Sequence, residues 1–522
     1  MVMKRIHNII GILRLLPATV VALALAAGSC TSTFDDMNTN PDAPQKATSA
    51  MLATRVVLDM VQSANNSSSE FLCKRVFWGE QIEYYQYNRL EKGNYNRLRM
   101  LTNARKMMET ALPEDEEAYT GLFYFLKGWS FYYTTMEMGD IPYGEALDIE
   151  NHPYPKYDEQ KEVFRGILAD LEKAEACFAK AGAFEGDPFY NGDPSLWRKA
   201  TNVLRLKVLM SLQKRADDTP DLQVKEAFAR IVSEGNLFTG NADNLQVTYE
   251  NKSGQKNPLR ESYTKSIDIY AGTTTLIDTL KRYGDYRLFY YFSPMQAFTD
   301  PLYLPEGETL LQAGDWMAYR GVDAAGAFST ERAKIDKLMH CRPNEIYRLS
   351  DVGVPAIRLG YADMNFILAE AVERGWIGGS AKGYYEEGIR ASFAFVKATV
   401  PPEYNHGREI TDAYVADYLE GPDVAYRESG SVQERLQQIW MQAYLASFFH
   451  LAWDSYFEYR RTGYPVWPVN PETNLNDKKD RIPVRWLYPE AETNFNKEQL
   501  SIALERQWGG VDEANEVMWV LR

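Results

Sequence analysis

The chain has 522 residues, of which 45% are hydrophobic and 25% charged, the balance of an ordinary globular protein. Its net charge of −15 excludes nucleic acid and anionic lipid surfaces as partners, since both need a basic footprint. Aromatic residues make up 13% of the chain, a surplus that fits a large core or stacking surfaces for ligands.

Residues 1–29 read as a targeting segment. Lys4, Arg5 and Arg14 are positive, Leu15 to Ala27 is apolar, and small residues Ala27-Gly28-Ser29 precede Cys30. The apolar run is too short for a comfortable membrane span. A cysteine in this place resembles a bacterial lipoprotein box, in which Cys30 becomes the lipidated N-terminus, although Ala27 stands where that box usually has Leu. Removing the segment takes three cations and no acid, so the charge falls from −15 to −18. No second apolar run reaches spanning length, so the mature chain is expected to be soluble but tethered. Cys73, Cys177 and Cys341 form neither a zinc spacing nor a disulfide framework, and read as buried small hydrophobes.

The polar, turn-rich TSTFDDMNTNPDAP after Cys30 is a tether. Met51, Val56, Val57, Met60 and Val61 then predict a helix within 45–64. Further helices are predicted over 70–85 and 96–112. In 116–138 the residues Ala118, Leu122, Phe125, Trp129, Tyr132 and Met136 recur with helical period, and Gly121 and Gly128 leave room for a neighbouring helix. Gly139 and Pro142 stop that helix. Phe164, Ile167, Leu171 and Ala174 mark the next one, and Leu196, Ala200, Leu204 and Val208 the one after.

Helical pattern dissolves from about 235 to 355, where Gly, Asn, Asp, Tyr and Pro are frequent. Long irregular segments inside a domain are usually functional loops. The pattern resumes over 361–374 and 382–400, and again over 432–459 before a loop-rich tail. Helices of this length joined by short polar loops predict a mainly α protein of antiparallel helix pairs, in the manner of tetratricopeptide repeats.

The sequence carries no recognisable catalytic motif. His152, His340, His406 and His450 form no metal-binding pair, and His450 reads as a satisfied core histidine. GGSAKG at 378–383 is a turn between helices and not a nucleophile elbow, and no phosphate-binding glycine motif exists. Asp140 and Glu145 are a conceivable acid pair, but they are expected to bond nearby backbone amides and fix the loop after the 116–138 helix. Binding asks for less. A sugar presents CH faces edged by hydroxyls, so it wants aromatic platforms bordered by Asp, Asn, Gln or Arg. Two stretches fit, FWGEQIEYYQYNRLEKGNYN at 77–96 and the run from Tyr290 through Trp316 and Tyr319.

The chain closely resembles the SusD/RagB family of nutrient-binding lipoproteins. The motifs that carry the resemblance are FDDMNTNPDAP, GDIPYGEAL, PKYDEQKEVFRGILADL, GDPSLWRKATNVLRLK, ADMNFILAEAVERGW, YYEEGIRASF, RRTGYP and IPVRWLYPEAE, in the family's order from Cys30 to the tail. Each alone is a helix or a turn; together they are specific.

The resemblance implies about four tetratricopeptide-like helix pairs carrying a loop-rich lobe. On this reading 1–29 is a lipoprotein signal and 30–522 one domain. The scaffold lies mainly in 43–215 and 361–400, the lobe mainly in 235–355 and 401–522. It implies an outer-membrane, lipid-anchored protein facing the cell exterior, with Asp35 and Asp36 fitting the family's acidic export signal. The implied partner is a SusC-like TonB-dependent transporter. The implied ligand is most often a glycan and in some members a peptide. The candidate ligand contacts are Trp78, Tyr87 and Tyr95 from the first aromatic stretch, with Tyr303, Trp316 and Tyr319 from the second. Trp129, Trp197 and Tyr464 are expected to pack the scaffold. The expected protein is not an enzyme and takes no cofactor; the sequence does not decide whether its acidic lobe holds a metal cation. The rival readings are a surface glycosidase and a scaffolding lipoprotein that binds other proteins.

Overall fold

The 116–138 helix is the centre of the molecule. In a computed structural model that describes residues 47–522 except 63–66, 261–266 and 268, it runs Glu116–Met138 with nearly every side chain buried. Cys30, Asp35, Asp36 and the targeting segment lie outside the described residues. Two glutamates occupy the helix's first turn, where negative charge suits the helix dipole. Gly139 ends it at φ +102°, a conformation that a side chain resists.

The helices used below are labelled in chain order: α1 Ser49–Gln62, α2 Asn96–Glu109, α3 Glu116–Met138, α4 Gln160–Phe178, α5 Pro194–Ser211 and α6 Val224–Glu234. The series continues with α7 Tyr361–Glu373, α8 Ala381–Thr399, α9 Val432–Ala446, α10 Asp454–Thr462 and α11 Lys497–Trp508. They pack as four successive pairs, α1 with α2, α3 with α4, α5 with α6 and α7 with α8, and neighbouring pairs touch through α2–α3, α4–α5 and α5–α7. The protein is mainly α, with the helix-pair scaffold that the sequence predicts. Residues 49–522 form one compact unit.

The glycines of α3 let its partner in. A Cβ on Gly128 would lie 2.6 Å from Leu171 Cδ2, and one on Gly121 would lie 3.0 Å from Phe178 Cε1. Trp197 of α5 is fully buried, and its indole N–H donates to Asp187 (2.8 Å), whose carboxylate also takes the backbone N–H of Tyr190 and Gly192. Trp129 is likewise core. Tyr464, half-buried, tilts against Trp440. Before it, Arg461 clamps α10 to α7 by its ion pair with Glu370, which also accepts from the Trp440 indole at 2.8 Å.

The segment between α6 and α7 holds short helices and most of the extended structure. Three two-stranded antiparallel ladders stitch it to the scaffold and to itself: β1 Val76–Trp78 with β3 Tyr270–Gly272, β2 Leu245–Val247 with β6 Ala356–Leu359, and β4 Phe292–Ser293 with β5 Arg342–Pro343.

Two predicted helices do not form as predicted. The helix expected over 70–85 ends at Leu72, because Lys74 takes φ +59° and the chain turns into β1. The helix expected over 432–459 breaks into α9 and α10. Phe449, Leu451 and Ala452 all take positive φ in the turn between them, a strained conformation for such side chains. His450 therefore sits in that turn and not on a helix. It is nonetheless a core histidine, 4% exposed, with Nδ1 3.4 Å from the backbone N–H of Ile357.

Candidate functional site

An opening with aromatic walls lies where the first aromatic stretch meets α2, the end of α3 and the loop-rich tail. The segment after Tyr85 is pinned from both sides. Gly93 N–H donates to Leu487 O (2.7 Å), Leu487 N–H to Glu91 O (3.2 Å), and Trp486 N–H to Glu137 O at the end of α3 (2.9 Å). Gly93 permits the approach, since a Cβ there would meet Met138 Sδ at 2.7 Å. Arg485, fully buried, holds the tail in turn: it donates to Met138 O and Glu513 O, pairs with Asp512 at 2.7 Å, and lies over the Trp508 ring.

These contacts enclose a cleft of about 420 Å³, within the range of small-molecule sites. Tyr85, Trp453 and Trp486 form its aromatic floor. Trp453 stands edge-on to Trp486 (5.0 Å, 76°) and tilts against Tyr85 (5.5 Å), while the Trp486 indole N–H reaches the Tyr85 hydroxyl at 3.4 Å. Burial pushes the Tyr85 hydroxyl pKa up, so it stays protonated at neutral pH. Asp59, Lys92, Asn94, Asn96, Arg97, Arg99 and Glu137 supply the polar walls. Asn94 accepts the Asn96 N–H (3.0 Å), and Arg97 pairs with Glu137 at 3.0 Å while its guanidinium lies over Tyr133. Tyr85 is half-buried, and Trp453 and Trp486 beside it are 6% and 4% exposed. An aromatic surface bordered by amides and guanidinium groups is what the CH face and hydroxyl edge of a sugar require.

A second cavity, between α5, α7, α9 and α10, holds only about 70 Å³. Lys207 there meets Asp363 and Asp454, and Arg461 meets Glu370 and Glu458. It is an interior knot of ion pairs and too small for a sugar. Among the described residues, no group of three or more His, Cys, Asp or Glu is arranged to hold a metal ion, and no helix is long and apolar enough to cross a membrane. Asp140 and Glu145 fix their loop as expected: Asp140 accepts from Gln160 N–H (2.8 Å) and Arg506 Nε (2.9 Å), and Glu145 from Lys156 N–H (3.0 Å).

The six aromatic residues picked from the sequence are scattered. Tyr87 is 3% exposed and donates its hydroxyl to Gly326 O (3.0 Å), while Tyr319 is fully buried and donates to Ala313 O (2.9 Å). Both are core residues with their hydroxyls bonded to backbone and neither opens onto the cleft, which corrects their candidacy. Trp78 is half-buried, stacked on Phe71 with Tyr270 alongside. Tyr95, also half-buried, donates to the Tyr157 hydroxyl (3.1 Å). Trp316, half-buried, packs on Phe289 and Tyr286. Tyr303 is 44% exposed. None of the six lines the cleft, although Tyr85, Lys92, Gly93, Asn94 and Asn96 come from the same 77–96 stretch. Trp453 and Trp486 were missed. Trp486 stands in the IPVRWLYPEAE motif, which was the available signal.

Residues 41–489 match the family profile described as starch-binding, associating with the outer membrane (SusD-like). The chain belongs to the SusD-like family. A SusD homologue from Bacteroides fragilis is 43% identical, covering 91% of this chain and all of its own, with a TM-score of 0.86. A Bacteroides vulgatus protein, suggested to be an outer-membrane protein involved in nutrient binding, is 30% identical over 91% of this chain and all of its own, at 0.81. A chitin-binding SusD homologue from Flavobacterium johnsoniae shares the fold at 20% identity, covering 90% of this chain and 97% of its own, with a TM-score of 0.68. No curated protein matches. SusD homologues are outer-membrane binding proteins, and this SusD-like chain carries the family's helix-pair scaffold in α1 to α8.

Proposed function

We propose that this SusD-like protein is a non-enzymatic binding lipoprotein. It captures an oligosaccharide in the cleft over Tyr85, Trp453 and Trp486 and passes it to a SusC-like TonB-dependent transporter. Lipidated Cys30 holds it at the outer membrane facing the exterior, and the tether raises the local ligand concentration at the pore. The cleft carries the proposal: its floor is aromatic, its walls are amides and ion-paired side chains, and its volume suits two or three sugar rings. Glu137, a carboxylate buried in its wall, is held by Arg97 and makes a fixed hydrogen-bonding wall.

Titration calorimetry against a panel of oligosaccharides and peptides tests this. A glycan is expected to bind, and Tyr85→Ala or Asn96→Ala to weaken it tenfold or more with the fold retained by circular dichroism. Peptide binding without glycan binding would replace the ligand class. Ring surface is also available at Tyr303 and Trp316 in the lobe, and glycan binding lost on their substitution and kept in the cleft variants would move the site there. Incubated oligosaccharide is expected to stay uncleaved.

A further inference from the structure

The charges around the cleft do not balance. Both of its carboxylates are committed, Glu137 to Arg97 and Asp59 to Arg55, each at 3.0 Å. The side chains of Lys92 and Arg99 stand exposed on the walls and make no ion pair and no hydrogen bond to any described residue. The mature chain is strongly acidic, and the adjoining groove across Lys92 is lined by Glu91, Asp477, Glu490, Asp512 and Glu513. Two uncommitted cations in the aromatic cleft therefore run against the charge of the surrounding surface. The first turn of α2, which opens onto the same cleft, adds to them: it contains no acid, and although Asn94 Oδ1 accepts the Asn96 N–H, the N–H end of the helix also favours a negative group.

We propose that the cleft selects an acidic oligosaccharide, with a carboxylate or sulfate on one sugar met by Lys92 and Arg99 while another ring lies against the aromatic floor. This rests on the glycan reading of the same cleft. A neutral glycan would leave two cations without a counter-charge in the bound state, whereas an anionic one gains charge-assisted hydrogen bonds.

The test is titration of the full mature chain with three hexasaccharides: galacturonic acid hexamer (carboxylate), κ-carrageenan hexamer (sulfate) and neutral maltohexaose. One acidic hexamer is expected to bind at least tenfold tighter than maltohexaose, and the one that binds names the group. Raising NaCl from 50 to 500 mM should weaken it several-fold. Lys92→Gln with Arg99→Gln should cost tenfold or more, and Lys92→Arg with Arg99→Lys should keep affinity within threefold. Maltohexaose bound as tightly as the acidic hexamers, or an unchanged affinity in the Gln pair, overturns the selectivity and leaves the glycan reading standing. Binding of none of the three, with poly-glutamate bound instead, overturns both.

Discussion

Replacing Gly128 by Ala tests the close packing of α3 against α4. Two effects oppose each other. Ala gains about 1 kcal/mol of helix propensity over Gly. The new methyl would sit 2.6 Å from Leu171 Cδ2 and 2.8 Å from Cγ, and relieving such a clash in a packed core costs about 1–3 kcal/mol. The flank of α3 is buried on every side, so the chain has little room to yield. The expected net result is a destabilisation of about 1 kcal/mol, read as a lower urea midpoint at unchanged slope. Leu171→Ala removes the obstacle and alone costs about 2–5 kcal/mol. In that background Gly128→Ala should become stabilising by about 1 kcal/mol, because only the propensity gain remains. The two substitutions should then couple by about 2 kcal/mol, the double variant being more stable than the sum predicts. A Gly128→Ala protein that is more stable on its own, with no coupling to Leu171, would refute the close approach.

Three further outcomes follow from buried polar groups and from the targeting segment. Burial, and after it the charges of Arg358 and Arg75, holds His450 down at about 3, against an ordinary 6.5. The folded state therefore binds this proton less readily than the unfolded chain, and its contribution, full above pH 6.5, is lost as pH falls toward 3. From pH 7.5 to 4.5 the wild type should lose about 3 kcal/mol more than His450→Gln, and parallel pH–stability curves would contradict this. Asp140→Asn keeps an acceptor for Gln160 N–H but drops the charge facing Arg506; with Arg506 a third exposed, thermal denaturation should show a loss of about 1–2 kcal/mol. Asp140→Ala should cost more, since the buried Gln160 N–H then loses its acceptor as well. Cys30→Ser should abolish palmitate labelling and release the protein from the membrane fraction; retention there would count against the anchor.

The scaffold was legible because its signals are local. The period of Ala118, Leu122, Phe125 and Trp129 and the stop at Gly139 place α3, and Gly121 and Gly128 already mark where α4 comes in. The failures are places where a few backbone angles decide. Lys74 turns the chain out of helix without any change in apolar pattern. Apolar spacing likewise runs straight through Phe449, Leu451 and Ala452, so the break between α9 and α10 is silent in the sequence.

The site was legible only as a stretch. Tyr85 and Tyr87 are two residues apart in the same run of tyrosines, yet one floors a cleft and the other is sealed in the core against Phe77. Which of them faces outward depends on β3, the tail and Gly326, all distant in the chain. Trp453 and Trp486 reach the cleft from the same distance. Motif resemblance identified the family correctly, and it did so through residues such as Asp140, Trp197 and Arg461 that hold the scaffold. Those residues carry the fold and say little about the ligand.

The most direct measurement is a crystal structure of the mature chain soaked with the tightest-binding oligosaccharide. Density is expected for a sugar ring over Tyr85, Trp453 and Trp486, with hydroxyls bonded to Asn94, Asn96 or Arg97. An empty cleft, with the sugar seated instead on Tyr303 and Trp316 in the lobe, would contradict it.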